Sequence, residues 1–264
     1  MKGLKDKVAI VTGGSSGIGQ ACVRRLCKEG ASVAFSGLNP KGKETEKNLR
    51  AEGFDVQFLQ GDMGNEETCK NLVTMTVEKW GRVDYLVNNA FSFLSKGVDA
   101  TREDWDRIMH VGPVAYATMA KYCVPHMLKT GKGAIVNMSS ISAHIAQPNR
   151  WTYNAAKGAV NQLTRCMAMD LAPQIRVNSI SPAWIWTQEV DKAANNDRTK
   201  WEPIWGKFHL LRRLGSVDEC AGPTIFLLSD EAAFITGTDL LVDGGYLTMG
   251  SEGLGENSSF AGTA

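Results

Sequence analysis

Three residues in the middle of the chain have types and spacing that suit proton transfer to and from an oxygen atom. Tyr153 and Lys157 are four positions apart, so a helix would place both side chains on one face. An ammonium beside a phenol stabilises the phenolate and lowers its pKa toward the range of a general acid–base catalyst. Ser140 could hydrogen-bond the same substrate oxygen. A Tyr-x-x-x-Lys pair alone more often lies exposed on an amphipathic helix, so a second indication is needed.

The neighbouring segments predict how these residues are positioned. Residues 133–138 form a short apolar run that is typical of a buried parallel strand, and Ser140 follows shortly after its end. Residues 153–171 contain few helix breakers and carry apolar side chains at helical spacing, which predicts a helix. The sequence therefore predicts Ser140 at the carboxyl end of a strand and the Tyr-Lys pair on the next helix.

A glycine-rich turn near the start of the chain provides the second indication. A compact apolar strand at residues 7–11 leads to Gly13, Gly17 and Gly19, and an amphipathic run follows at residues 20–29. Glycines allow a tight turn and close backbone approach, and the free amides at a positive helix start attract a pyrophosphate. The position directly after a strand makes a phosphate cradle a better interpretation than a flexible linker.

Together with Asn88-Asn89-Ala90, these motifs resemble the short-chain dehydrogenase/reductase family in order and spacing, over residues 5–247. The resemblance implies an α/β fold: a single Rossmann-type, doubly wound parallel sheet of about seven strands with helices on both faces. It also implies NAD or NADP as cofactor and interconversion of a secondary alcohol and a ketone. Tyr153 would pass the proton, Lys157 would lower its pKa and hold the nicotinamide ribose, and Ser140 would orient the substrate oxygen.

The resemblance further implies cofactor contacts along most of the chain. Besides Tyr153 and Lys157, the candidates are Gly13, Ser15, Ser16, Gly17, Ile18, Gly19, Gly37, Leu38, Asp62, Met63, Asn89, Ala90, Pro182, Ile185 and Thr187. Asp62 and Met63 would flank the adenine ring, although Asp62 could equally cap the helix that begins near Asn65. Ala183 stands where the family has a glycine, which is a mild change.

The end of the second predicted strand bears on the choice between NAD and NADP. An acidic residue there would bind the adenosine ribose hydroxyls and repel a 2′-phosphate, but the position is Gly37. The arginine usual in NADP users is also absent, because Leu38 stands next. The nearest cations, Lys41 and Lys43, could reach a 2′-phosphate or could simply be solvated. Of the two cofactors we favour NADP.

Two positions near the predicted active site depart from the family pattern. Phe91 follows Asn88-Asn89-Ala90 where the family usually has glycine, and its ring would either crowd the cofactor or turn outward to wall the substrate pocket. Gly112 stands where the family commonly has an asparagine that bends a long helix and supports a water in the proton relay. Because Pro113 bends a helix, we expect Gly112-Pro113 to reproduce the bend and the water site.

Residues at about 184–212 correspond to the family's substrate lid. Four tryptophans lie in it, at 184, 186, 201 and 205, and they indicate a substrate with an apolar or ring-bearing body. Trp201, Ile204, Trp205 and Phe208 also fit an amphipathic helix that packs on the body of the domain. Trp184, Trp151 and His144 are the candidate substrate residues, although a loop histidine is more often solvated.

Composition excludes several other classes of function. A formal net charge of +1 gives no broad basic surface for nucleic acid or an anionic membrane. No run approaches the length of a membrane span, and residues 1–7 lack the apolar core of a signal peptide, so we expect a cytoplasmic protein. Six scattered cysteines without paired spacing predict reduced, packed thiols and no metal site.

We expect one domain over residues 1–247, a flexible tail at 248–264, and a homotetramer or homodimer, since the family's last strand packs at a two-fold axis. The partner is then a small-molecule substrate. Two alternatives remain open at this point. One is a dinucleotide-binding but weakly catalytic regulatory protein, which Phe91 and Gly112 favour. The other is a carbon–carbon double-bond reductase, which the Ser-Tyr-Lys set suits less well than carbonyl chemistry.

Overall fold

The computed structural model describes residues 1–250, and its centre is one parallel sheet. Seven strands pair in the order β3-β2-β1-β4-β5-β6-β7, and every pairing is parallel. The strands are β1 Val8–Val11, β2 Ser32–Gly37, β3 Val56–Gln60, β4 Tyr85–Asn88, β5 Gly133–Met138, β6 Ile175–Pro182 and β7 Asp239–Val242. The predicted fold class is confirmed.

Helices link the strands and cover both faces of the sheet. The α-helices within the described residues are α1 Gly17–Lys28, α2 Lys41–Ala51, α3 Glu66–Trp80, α4 Arg102–Met109, α5 Ala115–Lys129, α6 Trp151–Leu171, α7 Gln188–Ala193, α8 Arg198–Gly206 and α9 Val217–Leu228. A π-helical segment, His110–Val114, joins α4 to α5, and short 3-10 turns occur at Ile141–Ala143 and Asp230–Ala232. Parallel strands require such crossovers.

Two apolar cores, one on each face, hold these layers together. One contains side chains of α1 and α9, such as Leu26 and Ile225, against the strands. The other contains side chains of α3 and α5, such as Leu72 and Met127. The central strands are buried on both sides, which explains why they are continuous apolar runs in the sequence.

The strand order reverses between β1 and β4, and this reversal positions the site. From β1 the chain continues to β2 and β3 on one side, whereas β4 lies on the other side of β1. Ligands of open α/β sheets bind in the crevice outside the carboxyl ends of the strands at such a point. The glycine turn after β1 and the Asn88-Asn89-Ala90 segment at the end of β4 both lie there.

Other predictions can be compared with the described part of the chain. Within it no helix is long and apolar enough to cross a membrane. All six cysteines are unpaired, and five of them are buried, as expected for packed thiols. The predicted tail lies outside the described residues from position 251 onward.

Candidate active site

The glycine turn is fastened to the end of β4 by the Thr12 and Asn89 side chains. The Thr12 hydroxyl accepts hydrogen bonds from the backbone amides of Asn89 and Ala90 at 2.9 and 3.0 Å. In return, the side-chain amide of Asn89 donates to the carbonyl oxygens of Thr12 and Gly13 at 3.0 and 3.1 Å. A Cβ at Gly19 would lie 2.2 Å from the Gly13 carbonyl oxygen, so this turn has no room for a side chain there.

The first turn of α1 is open to an anion. The N-cap residue Ser16 makes no side-chain capping hydrogen bond, and the first turn carries no acidic residue. The helix begins at Gly17, inside the motif and three residues before the predicted start. The amides of its first turn have no partner within the helix, and they lie at the crevice. Gly13 has a φ of +67°, which glycine adopts without strain. These features fit the pyrophosphate of a dinucleotide.

The end of β2 is crowded by the same turn. A Cβ at Gly37 would lie 2.3 Å from Oγ of Ser15, so the place of the usual acidic residue is filled by the Ser15 hydroxyl. Leu38, the next residue, is exposed. Lys41 is the first residue of α2, and Lys43 is the third residue of the same helix; both are exposed.

Asp62 and Met63, the predicted adenine neighbours, have separate roles in packing. Asp62 accepts from the Gly64 amide at 2.9 Å and forms an ion pair with Arg107. Burial acts to raise the pKa of Asp62, but these hydrogen bonds outweigh it, and the pKa is lowered. Met63 is buried in the core beneath β2. The cap of α3 is Asn65, which accepts from the Glu67 amide, so the capping role suggested for Asp62 is wrong.

The three residues predicted to act on the substrate come together at the carboxyl end of β5 and the start of α6. Ser140 follows β5, and its hydroxyl accepts from the Ser142 amide at 3.2 Å to cap the 3-10 turn. The same hydroxyl lies close enough to Tyr153 on α6 to act on the pKa of the phenol. Lys157 is 2% exposed and donates to the Met138 carbonyl oxygen at 2.8 Å. Its Nζ lies 5.6 Å from the centroid of the Tyr153 ring. Helix α6 begins at Trp151, two residues before the predicted start.

The electrostatics of this group differ from the expectation in one respect. Burial raises the pKa of Tyr153 to about 12, against the opposing effects of the Ser140 hydrogen bond and the charge of Arg150. Burial also lowers the pKa of Lys157 well below its usual value. The expected lowering of the phenol pKa by Lys157 is therefore not found in the protein alone, because enclosure disfavours both charged forms.

The two departures from the family pattern meet at Lys157. Phe91 turns toward the Ser-Tyr-Lys group and not outward: its ring centroid lies 3.5 Å from Nζ of Lys157, and its edge packs on Tyr153. The predicted bend at Gly112-Pro113 is present as the π-helical segment, in which Gly112 has non-helical φ and ψ. A Cβ at Gly112 would lie 2.6 Å from the Phe91 ring, so Phe91 packs directly against this glycine. The water site expected there stays a prediction.

The segment predicted as a lid contains α7 and α8 and a stack of indole rings. Trp205 lies 5.1 Å from Trp184 and 4.9 Å from Trp201, between ring centroids. Ile204 is exposed, and Phe208 lies beyond the end of α8 and is also exposed. The amphipathic-helix alternative is therefore correct for the two tryptophans of α8 and wrong for Ile204 and Phe208.

The cofactor candidates in the same segment lie close to the crevice. Pro182 ends β6, Ile185 is buried, and Thr187 caps α7 by accepting from the Val190 amide. A Cβ at Gly17 would lie 3.8 Å from the Thr187 side chain, so Thr187 faces the open start of α1.

The predicted substrate residues divide into two groups. Trp184 lies within 5.9 Å of the Arg150 guanidinium, whose charge acts on Tyr153, and exposed Trp151 begins α6. In contrast, Nε2 of His144 lies within hydrogen-bond distance of the Asp239 carboxylate on β7, at 2.7 Å. His144 also lies 3.1 Å from the side-chain amide of Asn161 on α6, so the structure places it between α6 and β7, and its substrate role stays a prediction.

Sequence reasoning missed one residue beside the phenol. Phe93 is 68% exposed, and its ring stacks on Tyr153 with centroids 6.2 Å apart and planes at 18°. A second phenylalanine three residues after Ala90 was the available signal.

The chain combines a doubly wound parallel sheet, an open first turn of α1 and a Ser-Tyr-Lys group. These features define a nicotinamide-dinucleotide oxidoreductase of the Rossmann type. A family model described as enoyl-(acyl carrier protein) reductase matches residues 13–247. Dehydrogenase/reductase SDR family member 4 of Sus scrofa is 39% identical over 92% of this chain and 88% of its own. Cyclopentanol dehydrogenase of Comamonas testosteroni is 37% identical over 92% and 98%, respectively.

A solved structure agrees with these relatives. Ligand-free aldohexose dehydrogenase of Thermoplasma acidophilum superposes with a TM-score of 0.85 at 34% identity, covering 94% of this chain and 96% of that one. The chain belongs to the short-chain dehydrogenase/reductase family and is an oxidoreductase that uses NAD(P). Among the described residues, no group of histidine, cysteine or carboxylate side chains is placed to hold a metal ion.

Proposed function

We propose that this protein interconverts a secondary alcohol and a ketone, with a cyclic, largely apolar substrate. The observation that carries the proposal is the group at the carboxyl end of β5 and the start of α6, where the Ser140 hydroxyl lies beside Tyr153 and Lys157 lies on the Tyr153 face of the helix. When bound, the nicotinamide ring supplies or accepts the hydride. The protein's own task is to hold the substrate oxygen and to move its proton.

Each side chain of this group has a distinct part in that task. In alcohol oxidation, the Tyr153 oxygen takes the proton of the substrate hydroxyl, and in ketone reduction it returns a proton to the carbonyl oxygen. The Ser140 hydroxyl holds the same oxygen. Lys157 binds the nicotinamide ribose and stabilises the phenolate when the site is complete. Because the ammonium is buried and the phenol is partly buried, their interaction is stronger than it would be in water.

Aromatic rings near Tyr153 support the substrate class. Phe93 stacks on the phenol, and Trp184, which packs on Trp205, lies 5.9 Å from the guanidinium of Arg150, near the start of α6. Flat apolar rings of this kind pack well against a cyclic carbon skeleton. Cyclopentanol dehydrogenase is named for such a substrate, whereas aldohexose dehydrogenase is named for a polar one.

Two observations weigh against the other readings. The matched model is described as an enoyl reductase, but the Ser140 hydroxyl beside the phenol is arranged to hold a carbonyl or alcohol oxygen. The weakly catalytic regulatory alternative rested on Phe91 and Gly112. These residues accommodate each other and leave the Ser-Tyr-Lys group assembled, so they do not support it.

For the cofactor, NADP is the proposed choice. Gly37 carries no acidic side chain to repel a 2′-phosphate, and the Ser15 hydroxyl fills that place. Lys41 and Lys43 are exposed at the start of α2, next to Leu38. Their positive charge is available to a phosphate in this crevice.

Assembly and location are part of the proposal. Among the described strands β7 pairs with β6 alone, so its other edge is free for a second copy in a homodimer or homotetramer. The six unpaired cysteines fit a reducing compartment such as the cytoplasm.

The test combines cofactor titration with a substrate series. NADPH, NADH, NADP and NAD are titrated by fluorescence, and cyclopentanol, cyclohexanol, propan-2-ol and an aldohexose are then assayed by nicotinamide absorbance. We expect NADP to bind more tightly than NAD, a preference that Lys41→Ala/Lys43→Ala lowers by about tenfold.

We expect the cyclic alcohols to have the highest kcat/KM, and Phe93→Ala to raise their KM about tenfold without changing that of propan-2-ol. Phe234→Ala, at an exposed ring, is the matched control. A higher kcat/KM for the aldohexose would reject the apolar substrate class, and absence of turnover across the series would reject the dehydrogenase proposal.

A further inference from the structure

Lys157 is a buried cation whose surroundings in the described chain are unusual. Besides the Met138 carbonyl oxygen at 2.8 Å, its nearest partner is the face of the Phe91 ring, with Nζ 3.5 Å from the ring centroid. A cation over an aromatic face is attracted by the ring quadrupole, and more strongly when water is excluded. The titratable side chains that pack nearby are the phenols Tyr153 and Tyr116.

The position of the Phe91 ring is fixed from three sides. Its edge contacts with Tyr153 and Tyr116 have centroid distances of 5.5 and 6.3 Å and interplanar angles of 82° and 71°. Tyr116 is itself fully buried, and its hydroxyl donates to Met138 O at 3.3 Å. The ring therefore has little freedom to move away from the ammonium.

The third side is Gly112, in the bend between α4 and α5. A Cβ there would lie 2.6 Å from Cε2 and 3.0 Å from Cζ of Phe91. A separation this short cannot be accommodated unless the ring moves, and the ring is held by its other contacts. The large residue at 91 and the absent side chain at 112 therefore depend on each other.

We propose that Phe91 is a positioning residue that holds the Lys157 ammonium in place for catalysis, and that Gly112 provides the space the ring needs. The role of Lys157 in turnover rests on the proposed function, whereas the contact of Lys157 with Phe91 is independent of it. Phe91 and Gly112, the two departures from the family pattern, are then one matched pair. In place of a hydrated polar side chain at 112, this chain supports its catalytic lysine with an aromatic face.

The test measures Lys157 directly. Protein with ¹³C-labelled lysine is titrated by NMR, and the Lys157 signal is assigned by its loss in Lys157→Met. We expect Phe91→Leu to lower the pKa of Lys157 by about one pH unit, because an ammonium loses its ring partner while the cavity stays apolar. Phe91→Met serves as a second variant of similar volume without a ring. Phe234→Leu, at an exposed position, should leave the signal unchanged.

Gly112→Ala should have the same effect as Phe91→Leu, because the new methyl group displaces the ring. Added to Phe91→Leu, it should have little further effect, since the two positions act through one contact. With the preferred alcohol, Phe91→Leu should lower kcat about tenfold with an unchanged dinucleotide Kd, and the pH profile of kcat should move with the pKa of Lys157.

The outcomes separate this inference from the proposed function. An unchanged Lys157 pKa in both Phe91→Leu and Phe91→Met would overturn the role of Phe91, whatever the enzyme turns over. A lowered pKa that Gly112→Ala does not reproduce would overturn the pairing of 91 with 112. Wild-type protein without turnover on the alcohol and ketone series rejects the proposed function alone, because the NMR titration still decides the contact.

Discussion

The glycine turn after β1 and the surroundings of Lys157 on α6 relate to the family pattern in opposite ways. The turn keeps its glycines because backbone atoms approach each other there, as with the 2.2 Å between a Cβ at Gly19 and the Gly13 carbonyl oxygen. Around Lys157 the chain has changed two residues, Phe91 and Gly112, and the changes accommodate each other. A site made of backbone tolerates little change, whereas a site made of side chains tolerates paired changes.

The largest effect is expected in the turn. Gly19→Ala places a methyl group against the Gly13 carbonyl oxygen and the Asn89 amide, at 2.2 and 2.5 Å. We expect the dinucleotide Kd to rise at least about a hundredfold, because the tight turn can no longer close on the pyrophosphate. Isothermal titration calorimetry with NADPH measures this change.

Gly222→Ala on α9 is the matched control for that variant. A Cβ there meets nothing within 4 Å, and the residue lies inside a helix. Replacing a helical glycine by alanine should raise stability by about 0.5–1 kcal/mol and leave the dinucleotide Kd unchanged. Equal loss of binding in both variants would refute the account of the turn.

Sequence and structure agree on the parts of the molecule that backbone and apolar patterning determine. The strands, the glycine turn and the Ser140, Tyr153 and Lys157 positions follow from motifs whose spacing is local. The contact between Phe91 and Lys157 could not be predicted, because 91 and 157 are far apart in the chain and neither position shows that it faces the other. The contact of His144 with Asp239 could not be predicted for the same reason, since Asp239 lies on β7.

The second prediction concerns Tyr153 in the protein without dinucleotide. Burial raises its pKa to about 12, so its phenolate should form only above the range of exposed tyrosines. In a pH titration followed at about 295 nm, the absorbance of wild type minus that of Tyr153→Phe should show the ionisation of Tyr153. Because the folded-state pKa lies above the unfolded value, the stability that this group contributes is present below pH of about 10 and is lost toward pH 12.

A difference spectrum with its midpoint near pH 10 or below would contradict this account of Tyr153. It would mean that the charges of Arg150 and Lys157 dominate over burial even before the cofactor binds.

The smallest effect is a gain in stability from removing the buried ammonium. Burial lowers the pKa of Lys157, so the folded state disfavours its charged form. Lys157→Met keeps a similar shape without charge, and we expect about 1–2 kcal/mol of stabilisation, or a Tm increase of about 2–8 °C. Turnover should be lost in the same variant.

The sign of the pH dependence follows from the lowered pKa. The cost of the buried ammonium is fully present below the folded-state pKa of Lys157, and the wild type gains stability as pH rises toward the unfolded value of about 10.4. The Tm difference between Lys157→Met and wild type should therefore shrink toward alkaline pH. A variant that is less stable than wild type at pH 7 would show that the Phe91 and Met138 contacts outweigh the cost of burial.

The central claim is that Tyr153 moves the proton in an alcohol–ketone interconversion. Its most direct test is single-turnover reduction of a cyclic ketone by pre-bound NADPH, with wild type and Tyr153→Phe compared by stopped-flow absorbance. We predict a rate at least about a hundredfold lower in Tyr153→Phe, with NADPH affinity unchanged within about twofold. Equal rates in the two proteins would contradict the account.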